Sequence, residues 1–320
     1  MTRTALLRLV LLVAVTATPL AAQSRARTRD RDRNRDRDRD DIEARLDTTL
    51  ALARGGLVDL SLVSGEILVT GAARGDVRIV ATSERGELEL DASASRIVLA
   101  VRSRRNHAGE THYEVTVPFG ARVIGRAVSG EVNIRGTQGA VEAHSVSGDV
   151  IVDDTRGATT LESVSGEVRG SRIGGDLDVR SVSGDVDLDD VRGDAHVETV
   201  SGSITLPRAA SRDVRMETVS GDIQYGGTIE PTGRYEFRSH SGDVMLTLPS
   251  NVSAEVGVET FSGDLETDFP LTLQPGAREI GVREQRFDFT LGAGGARITA
   301  QTFSGDIHLE RGPSASSNKE

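Results

Sequence analysis

The chain has 320 residues, with no cysteine and only 3% aromatic side chains. The lack of cysteine excludes disulfides, thiolate zinc sites, iron–sulfur clusters, cysteine nucleophiles and a lipid-modified cysteine, and the scarcity of rings disfavours a compact globule. The formal charge is -11, and residues 42–320 alone carry 28 basic and 43 acidic side chains. Because such an acidic body repels phosphate backbones, we expect no nucleic acid partner.

Residues 1–22 are predicted to be a secretory signal peptide. A basic start precedes the apolar run Leu9–Ala17, and small residues precede a predicted cleavage between Ala22 and Gln23. An uncleaved amphipathic anchor is the alternative. No stretch approaches the ~20 apolar residues of a membrane helix. We therefore predict a mature chain without a membrane span, exported to the periplasm, the cell surface or the medium.

Residues 23–41 are predicted to be a disordered spacer. Eight Arg and six Asp nearly alternate there, and Ala26 is the only apolar residue. Because the segment can bury almost nothing, it should be extended and solvated. Contact of its arginines with an anionic surface is the alternative, but the interleaved Asp residues neutralise most of that attraction. A disordered tail is predicted for residues 312–320.

A tripeptide of Ser, Gly and an acidic residue repeats along the rest of the chain. Copies are spaced by 18 residues from Ser129 to Ser201, then by 19, 21 and 21, and such a period indicates an array of stacked units. The final gap of 42 residues predicts one coil whose marker is lost, and the early gap of 65 predicts three degenerate coils. The marker serines are Ser64, Ser129, Ser147, Ser165, Ser183, Ser201, Ser220, Ser241, Ser262 and Ser304.

Apolar residues alternate with polar ones on both sides of each marker serine. The sixth and fourth residues before the serine are mostly apolar or small, the second before is usually Ser or Thr, and the third and fifth after are apolar. This period of two predicts strands with one buried face. The residue just before the serine, such as Val182, is in phase with the apolar residues that follow the serine and out of phase with those that precede it. The alternation therefore slips at the Ser or Thr, where we expect a bend.

Stacking these units predicts an all-β fold, a single parallel β-solenoid of about thirteen 18–21-residue coils over residues 42–311, since two short strands cannot form a core alone. The marker glycine is predicted to face inward beside the bend, where a Cβ would crowd the next coil or φ must be positive. A second glycine column, Gly139, Gly157, Gly175 and Gly193, is predicted to mark the opposite turn.

The residue after each marker glycine should form an outward acidic column. Carboxylates stacked ~5 Å apart could share a divalent cation, or they could cap the turn. We favour the cap, because the spacing differs from that of calcium-binding repeats. The column consists of Glu66, Glu131, Asp149, Glu167, Asp185, Asp222, Asp243, Asp264 and Asp306, with Ser203 replacing one acid.

The remaining motifs favour structural roles. Ten equivalent marker serines without a nucleophile elbow do not predict a catalytic serine. His107 and His112, with Glu110 and Glu114 nearby, could ligate a metal, but a polar hairpin is favoured because no metal-ligand spacing appears. We predict no catalytic residue, no metal and no cofactor.

Three segments resemble a known family: Tyr113–Gly136, Leu246–Leu265 and Ala296–Glu310, each carrying the repeated Val/Phe-Ser-Gly-acid pattern. They are similar to the bacterial family of domains of unknown function labelled putative adhesin, and the resemblance covers residues 47–311. It implies a β-solenoid and a role at the cell envelope, and it supplies no catalytic residue. The spacer, the lost marker near residue 283 and Ser203 depart from the family pattern.

The sequence thus favours an exported, non-catalytic envelope or surface module, adhesin-like, with a binding or structural role. Its partner would be an unidentified envelope or surface ligand, a glycan or a protein, and end-to-end self-association remains open. Two alternatives stand beside this interpretation. One is a carbohydrate-active β-helix enzyme, whose site could lie only in residues 71–126 or 266–297. The other is a scaffold that polymerises end to end.

Overall fold

The computed structural model describes residues 44–102, 109–270 and 285–313, and the backbone of 273–280. The predicted signal peptide, the spacer and residues 314–320 of the predicted tail lie outside these ranges. The described residues form 25 β-strands: β1 Ala44–Ala51, β2 Leu57–Ala72, β3 Asp76–Ser83, β4 Glu87–Ala92, β5 Arg96–Arg102, β6 Thr111–Pro118, β7 Arg122–Arg135, β8 Val141–Ser147, β9 Val150–Thr155, β10 Thr159–Ser165, β11 Val168–Ile173, β12 Leu177–Ser183, β13 Val186–Val191, β14 Ala195–Ser201, β15 Ile204–Ala209, β16 Asp213–Ser220, β17 Ile223–Gly227, β18 Arg234–Ser241, β19 Val244–Pro249, β20 Ala254–Ser262, β21 Leu265–Thr267, β22 Leu273–Ile280, β23 Gln285–Leu291, β24 Ala296–Ser304 and β25 Ile307–Gly312.

The strands stack in two columns, which confirms the all-β parallel solenoid. Each coil places one strand in the first column, turns at the marker serine and places the next strand in the second column. In the middle of the array, β8, β10, β12, β14, β16 and β18 pair in parallel, and so do β9, β11, β13, β15, β17 and β19. The long strands β2 and β7 each form a whole coil.

The core lies between the two columns and is built mainly from aliphatic side chains. In the coil of β12 and β13, Leu177 and Val179 before the marker and Val186 and Leu188 after it are buried, as the alternation predicts. Larger rings are concentrated towards the carboxyl-terminal end, where Tyr225 packs 5.0 Å from Phe237 between ring centroids, and Tyr113 on β6 is buried near the amino-terminal end. Burial raises the pKa of the Tyr225 phenol.

The first corner occupies the four residues from the one before the marker serine to the acid after the glycine. The Ser or Thr two positions before the marker is still buried, as Ser181 and Thr218 are, so the predicted bend at that residue is wrong by one position. Its hydroxyl donates to a marker-glycine carbonyl, for example from Thr218 to Gly202 at 3.2 Å. The residue that follows it, such as Val182, points to solvent.

Both glycine columns lie where coils come closest. A Cβ on Gly184 would overlap the carbonyl oxygen of Gly166, and its φ of +143° also disfavours other residues. At the second corner, a Cβ on Gly175 would overlap the carbonyl oxygen of Gly157. These contacts explain why glycine recurs every 18 residues at both turns.

The amino-terminal end of the array is not built from successive coils. After β2, the chain forms β3 and β4, and then β5 and β6 pair in parallel with the outer side of β2. Strand β4 pairs with β5, and β3 pairs with β6, both in antiparallel fashion. The chain returns to place β7 on the other side of β2, and β1 covers β3 in antiparallel fashion. The prediction of three degenerate coils is wrong here, because one coil and antiparallel strands fill the early gap.

The carboxyl-terminal end is also out of sequence order. The last coil, β24 and β25, lies between the coil of β18 and β19 and the coil of β20 and β21. Antiparallel β23 and β22 then cover β20. The predicted coil with a lost marker is therefore this antiparallel pair, and the described residues contain eleven parallel coils in place of the thirteen expected from length.

Within the described residues, no helix has the length and apolar character needed to cross a membrane.

Candidate functional site

The acidic column forms hydrogen bonds between coils. Asp149 Oδ1 accepts from the backbone N–H of Glu167 at 3.0 Å, and Asp185 Oδ1 accepts from that of Ser203 at 2.8 Å. Where Ser203 replaces the acid, its hydroxyl oxygen accepts from the backbone N–H of Asp222 at 3.4 Å. These contacts match the capping interpretation, because each oxygen satisfies an N–H that the corner leaves outside the strand pairing.

The same series of hydrogen bonds between coils continues through the last coils, in their spatial order. The backbone N–H of Asp306 donates to Asp243 Oδ1, and that of Asp264 donates to Asp306 Oδ1, both at 2.8 Å. Within the described residues, no group of three or more His, Asp or Glu side chains is arranged to hold a metal ion.

Glu167 of the acidic column lies beside a second carboxyl group, that of Asp187. Burial, together with a hydrogen bond that the protonated Glu167 carboxyl donates to the neighbouring Asp187 carboxylate, raises the pKa of Glu167 above its ordinary value, although Arg169 acts in the opposite direction. Arg169 also reaches Asp149, at 3.4 Å. The arginine therefore neutralises part of the column from within the chain.

The histidines are dispersed. His144 lies 2.8 Å from Glu162, and His308 lies 3.2 Å from Glu266. His112 lies 3.8 Å from Glu66 and 4.0 Å from Glu110, whereas His107 is outside the described residues.

A row of exposed apolar side chains runs along the first corner. Its members precede the marker serines, which pair from coil to coil in one unbroken series. The apolar members are 36% to 51% exposed, although they sit on a molecule whose other aliphatics are mainly buried. We call this row the apolar ladder; in spatial order it consists of Val63, Val128, Val146, Val164, Val182, Val200, Val219, His240, Phe303 and Phe261.

The ladder changes from valines to rings at the carboxyl-terminal end. Phe303 stacks on Phe261 with centroids 4.6 Å apart and planes 6° apart, and on His240 with centroids 4.9 Å apart. Because the rings stack along the solenoid axis, the central ring has both faces covered and presents its edge to solvent. This arrangement suits packing against apolar side chains better than stacking on a sugar ring.

A groove of ≈ 830 Å³ runs beside the ladder. Its other wall is a polar column, which we call the flanking column; its members lie three positions before the marker serines, from Ser129 onward in spatial order. Arg238 bonds Glu217 at 2.6 Å, and the Gln301 amide joins Arg238 to Glu259 at 2.9 and 3.0 Å. In spatial order the flanking column contains Arg126, His144, Glu162, Arg180, Glu198, Glu217, Arg238, Gln301 and Glu259.

Glu217 is the best-paired carboxylate of this groove. Desolvation raises its pKa, but hydrogen bonds from Arg238 and Arg215 outweigh that effect and leave the pKa of Glu217 below its ordinary value. The wall is therefore charged but largely neutralised pair by pair.

A smaller groove of ≈ 540 Å³ involves β23, within one of the two stretches that could hold an enzyme site. Arg286 pairs with Asp288 at 3.2 Å, and Arg297 pairs with Glu255 at 3.4 Å. Phe289 is buried and offers no platform for a sugar. These residues fit a charge-paired strand surface.

The ladder was not predicted from the sequence, because parity placed the residue before the serine with the inward group. The buried residues on either side of the corner, such as Ser181 and Val186, are five positions apart. Strict alternation would place residues an odd number of positions apart on opposite faces, so one of the intervening residues must break the alternation. His240 was the available signal, since an imidazole in the same column as the valines fits solvent better than an aliphatic core.

Comparison with known families gives one match. The model of the family described as Toastrack DUF4097 matches residues 159–310. That segment is similar to the Toastrack family. The predicted resemblance to a family of unknown function labelled putative adhesin is thereby confirmed, and seven of the ten ladder residues, from Val164 onward, lie within the Toastrack segment.

Three solved structures are similar to the chain that contains this Toastrack segment. A putative adhesin from Parabacteroides distasonis is 12% identical, with a TM-score of 0.40, over 84% of this chain and 97% of the other. A putative adhesin from Bacteroides fragilis is 10% identical, with a TM-score of 0.34, over 83% and 97%. A putative cell adhesion protein from Clostridium sporogenes is 8% identical, with a TM-score of 0.21, over 84% and 100%. No curated protein sequence matches the chain significantly.

Proposed function

We propose that the chain is an exported, non-catalytic β-solenoid of the cell envelope or surface that acts as an adhesin-like binding or structural module. The observation that carries the proposal is the apolar ladder. Glycines, buried hydroxyls and carboxylates of the repeat make contacts within the array, whereas the ladder repeats just as faithfully and leaves its apolar side chains 36% to 51% exposed. Contiguous exposed apolar surface of this kind is typical of interaction sites.

Export is supported by the residues that precede the solenoid. Residues 1–22 have the basic start, apolar run and small-residue cleavage site of a signal peptide, and the Arg/Asp segment over 23–41 would serve as a solvated spacer. The domain organisation that we propose is a signal peptide, this spacer, a solenoid over 42–311 and a short tail.

A non-catalytic role is supported by the use already made of the polar groups. The acidic column caps corners, and the charges of the groove beside β23 pair with each other. End-to-end polymerisation is disfavoured by the antiparallel strands β4, β1 and β22 at the ends, because a growing parallel stack needs parallel edges.

Binding to envelope material tests the proposal. The purified chain would be incubated with cell-wall sacculi, a glycan array and envelope protein fractions, beside a variant with Val164→Ser and Val200→Ser. We expect saturable binding that the ladder variant loses and that a Gln224→Ser variant keeps, since Gln224 is exposed on the second column. Equal binding by the ladder variant, or no binding to any component, would contradict the proposal.

A further inference from the structure

We propose that the apolar ladder is the contact surface between two copies of this chain, which pack side by side and antiparallel about a two-fold axis at Val200. The proposal rests on the proposed function, because it names the partner of the same surface. Its basis is the repeat, the shape and the charge order of the ladder and its flanking column.

The repeat of the ladder favours a second solenoid as its occupant. Neighbouring members are separated by the strand spacing of ~4.8 Å, and in the middle of the array the strands on both sides already pair with their neighbours. A partner must therefore recognise side chains, because no free strand edge is offered for β-augmentation. A second copy supplies an apolar row with the same repeat.

The shape of the ladder selects the antiparallel arrangement. One end carries rings and the other valines, so a two-fold axis at Val200 sets each bulky member of one copy against a smaller member of the other. Close packing without voids or overlap requires this kind of matching. The facing pairs are His240 with Val164, Phe303 with Val146, Phe261 with Val128, and Val182 with Val219.

The charges of the flanking column select the same register. A two-fold axis in the contact plane, perpendicular to the solenoid axis, brings the two flanking columns onto the same side. With Val200 at the axis, three pairs of opposite charge face each other on each side of it: Arg180 with Glu217, Glu162 with Arg238, and Arg126 with Glu259.

Neighbouring registers lose this complementarity. A shift by one strand in one direction sets Glu162 against Glu217, and a shift in the other direction sets Arg180 against Arg238. Opposed like charges disfavour wrong registers more strongly than matched pairs favour the right one. The chosen register has one conflict, because Glu198, which pairs with His196 at 2.8 Å, meets its own copy at the axis.

The contact area fits a modest dimer. In this register Val128 to Phe261 face the other copy and Val63 extends past its end, so the contact covers eight strand intervals, about 38 Å at ~4.8 Å each, and with the flanking column it is about 15 Å wide. Two such surfaces bury roughly 1,150 Å², near the lower limit of specific interfaces. We therefore expect association in the micromolar range.

Cross-linking tests the register directly, because the chain contains no cysteine. In full-length protein, Val200→Cys should form a covalent dimer with a short bismaleimide, since the two Val200 side chains face each other. Val128→Cys should not, because its copies lie far apart on opposite sides of the axis. Exposed Gln224→Cys on β17 is the second control.

Sedimentation measures the association itself. We expect a concentration-dependent dimer that Val182→Glu weakens at least tenfold, that Gln224→Glu leaves unchanged, and that Glu198→Gln strengthens. Circular dichroism would verify the fold of each variant. A monomer at 100 µM (roughly 100 times the expected range), or equal cross-linking at positions 128 and 200, would overturn the dimer. If the monomer still bound envelope material through the ladder, the proposed function would stand without this inference.

Discussion

Gly184 illustrates at the residue scale how closely the coils approach. Because a side chain at this position would overlap Gly166 and force a side chain into positive φ, we expect Gly184→Val to lower the free energy of unfolding by a few kcal/mol. The neighbouring Asp185→Asn should cost less than about 1 kcal/mol, since an amide oxygen can still accept from Ser203. Chemical denaturation of both variants measures the difference, and equal stability would contradict the close approach.

A second residue-scale prediction concerns the left-handed position at the end of the second-column strand. It is occupied by Gly136 at φ +68°, Asp154 at +51°, Arg172 at +52° and Asp190 at +50°. Since the left-handed conformation costs an ordinary residue about 1 kcal/mol, Arg172→Gly should raise the melting temperature by a few degrees, even though it removes an exposed ion pair with Asp153. Gly136→Ala should lower the melting temperature through the backbone penalty alone, since a Cβ there meets no atom closer than 3.7 Å.

Glu217 predicts a dependence of stability on pH. Its pKa is lower in the folded chain than the ordinary value of 4.5, so its contribution is present above pH 4.5 and is lost as the pH falls through the folded pKa. Glu217→Gln should therefore destabilise the protein at pH 7, by about 1 kcal/mol or less because the pair is partly exposed. The difference from the unaltered chain should shrink below pH 4.5.

Glu167 provides the matched control for that experiment. Its pKa is raised, so the charged form is disfavoured in the folded state above pH 4.5 and the sign reverses. Glu167→Gln should leave stability at pH 7 unchanged or slightly higher. Urea unfolding of both variants between pH 3.5 and 7 would contradict the assignment if the two curves moved in the same direction.

At the scale of elements, the sequence was sufficient for the regular middle of the array. Alternation around Val179 and Val186 predicts both strands of a coil, because one face of each must be buried. The two ends could not be predicted in this way, since period two is the same for parallel and antiparallel strands, and nothing local indicates that β24 pairs with β18 and β20. The ladder was missed because corner residues follow neither strand's parity.

The repeat predicts which deletions the array tolerates. Removing residues 166–183, a whole coil of 18 residues, joins Ser165 to Gly184 and keeps every column in register. We expect this variant to fold with unchanged circular dichroism and a melting temperature lower by several degrees, as in other repeat arrays. Removing residues 166–182 leaves one residue too many at the corner, so its protection in hydrogen exchange should collapse around β10 and β13. Equal behaviour of the two deletions would contradict the column register.

At the scale of the whole molecule, the acidic charge predicts a response to salt. If the carboxylates only cap corners, 2 mM calcium should raise the melting temperature no more than sodium chloride of equal ionic strength, because screening at ~0.15 M already limits repulsion to about 8 Å. One acid per coil also offers too few oxygens for the six to eight that calcium takes. Scanning calorimetry in both salts measures this. Saturable micromolar binding, lost on replacing Asp149, Glu167 and Asp185 with Asn or Gln, would make the column a cation site.

The out-of-order last coil has a mechanical consequence. A pulling force applied at the carboxyl terminus acts on β24 and β25, which lie inside the stack and hydrogen-bond to a strand on each side. The force must shear the hydrogen bonds of two parallel strand pairings together, whereas an ordinary terminal coil would peel from one edge, one bond after another. A molecule that is fixed at one end and pulled at the other would therefore resist extension at the very coil where unravelling would otherwise begin.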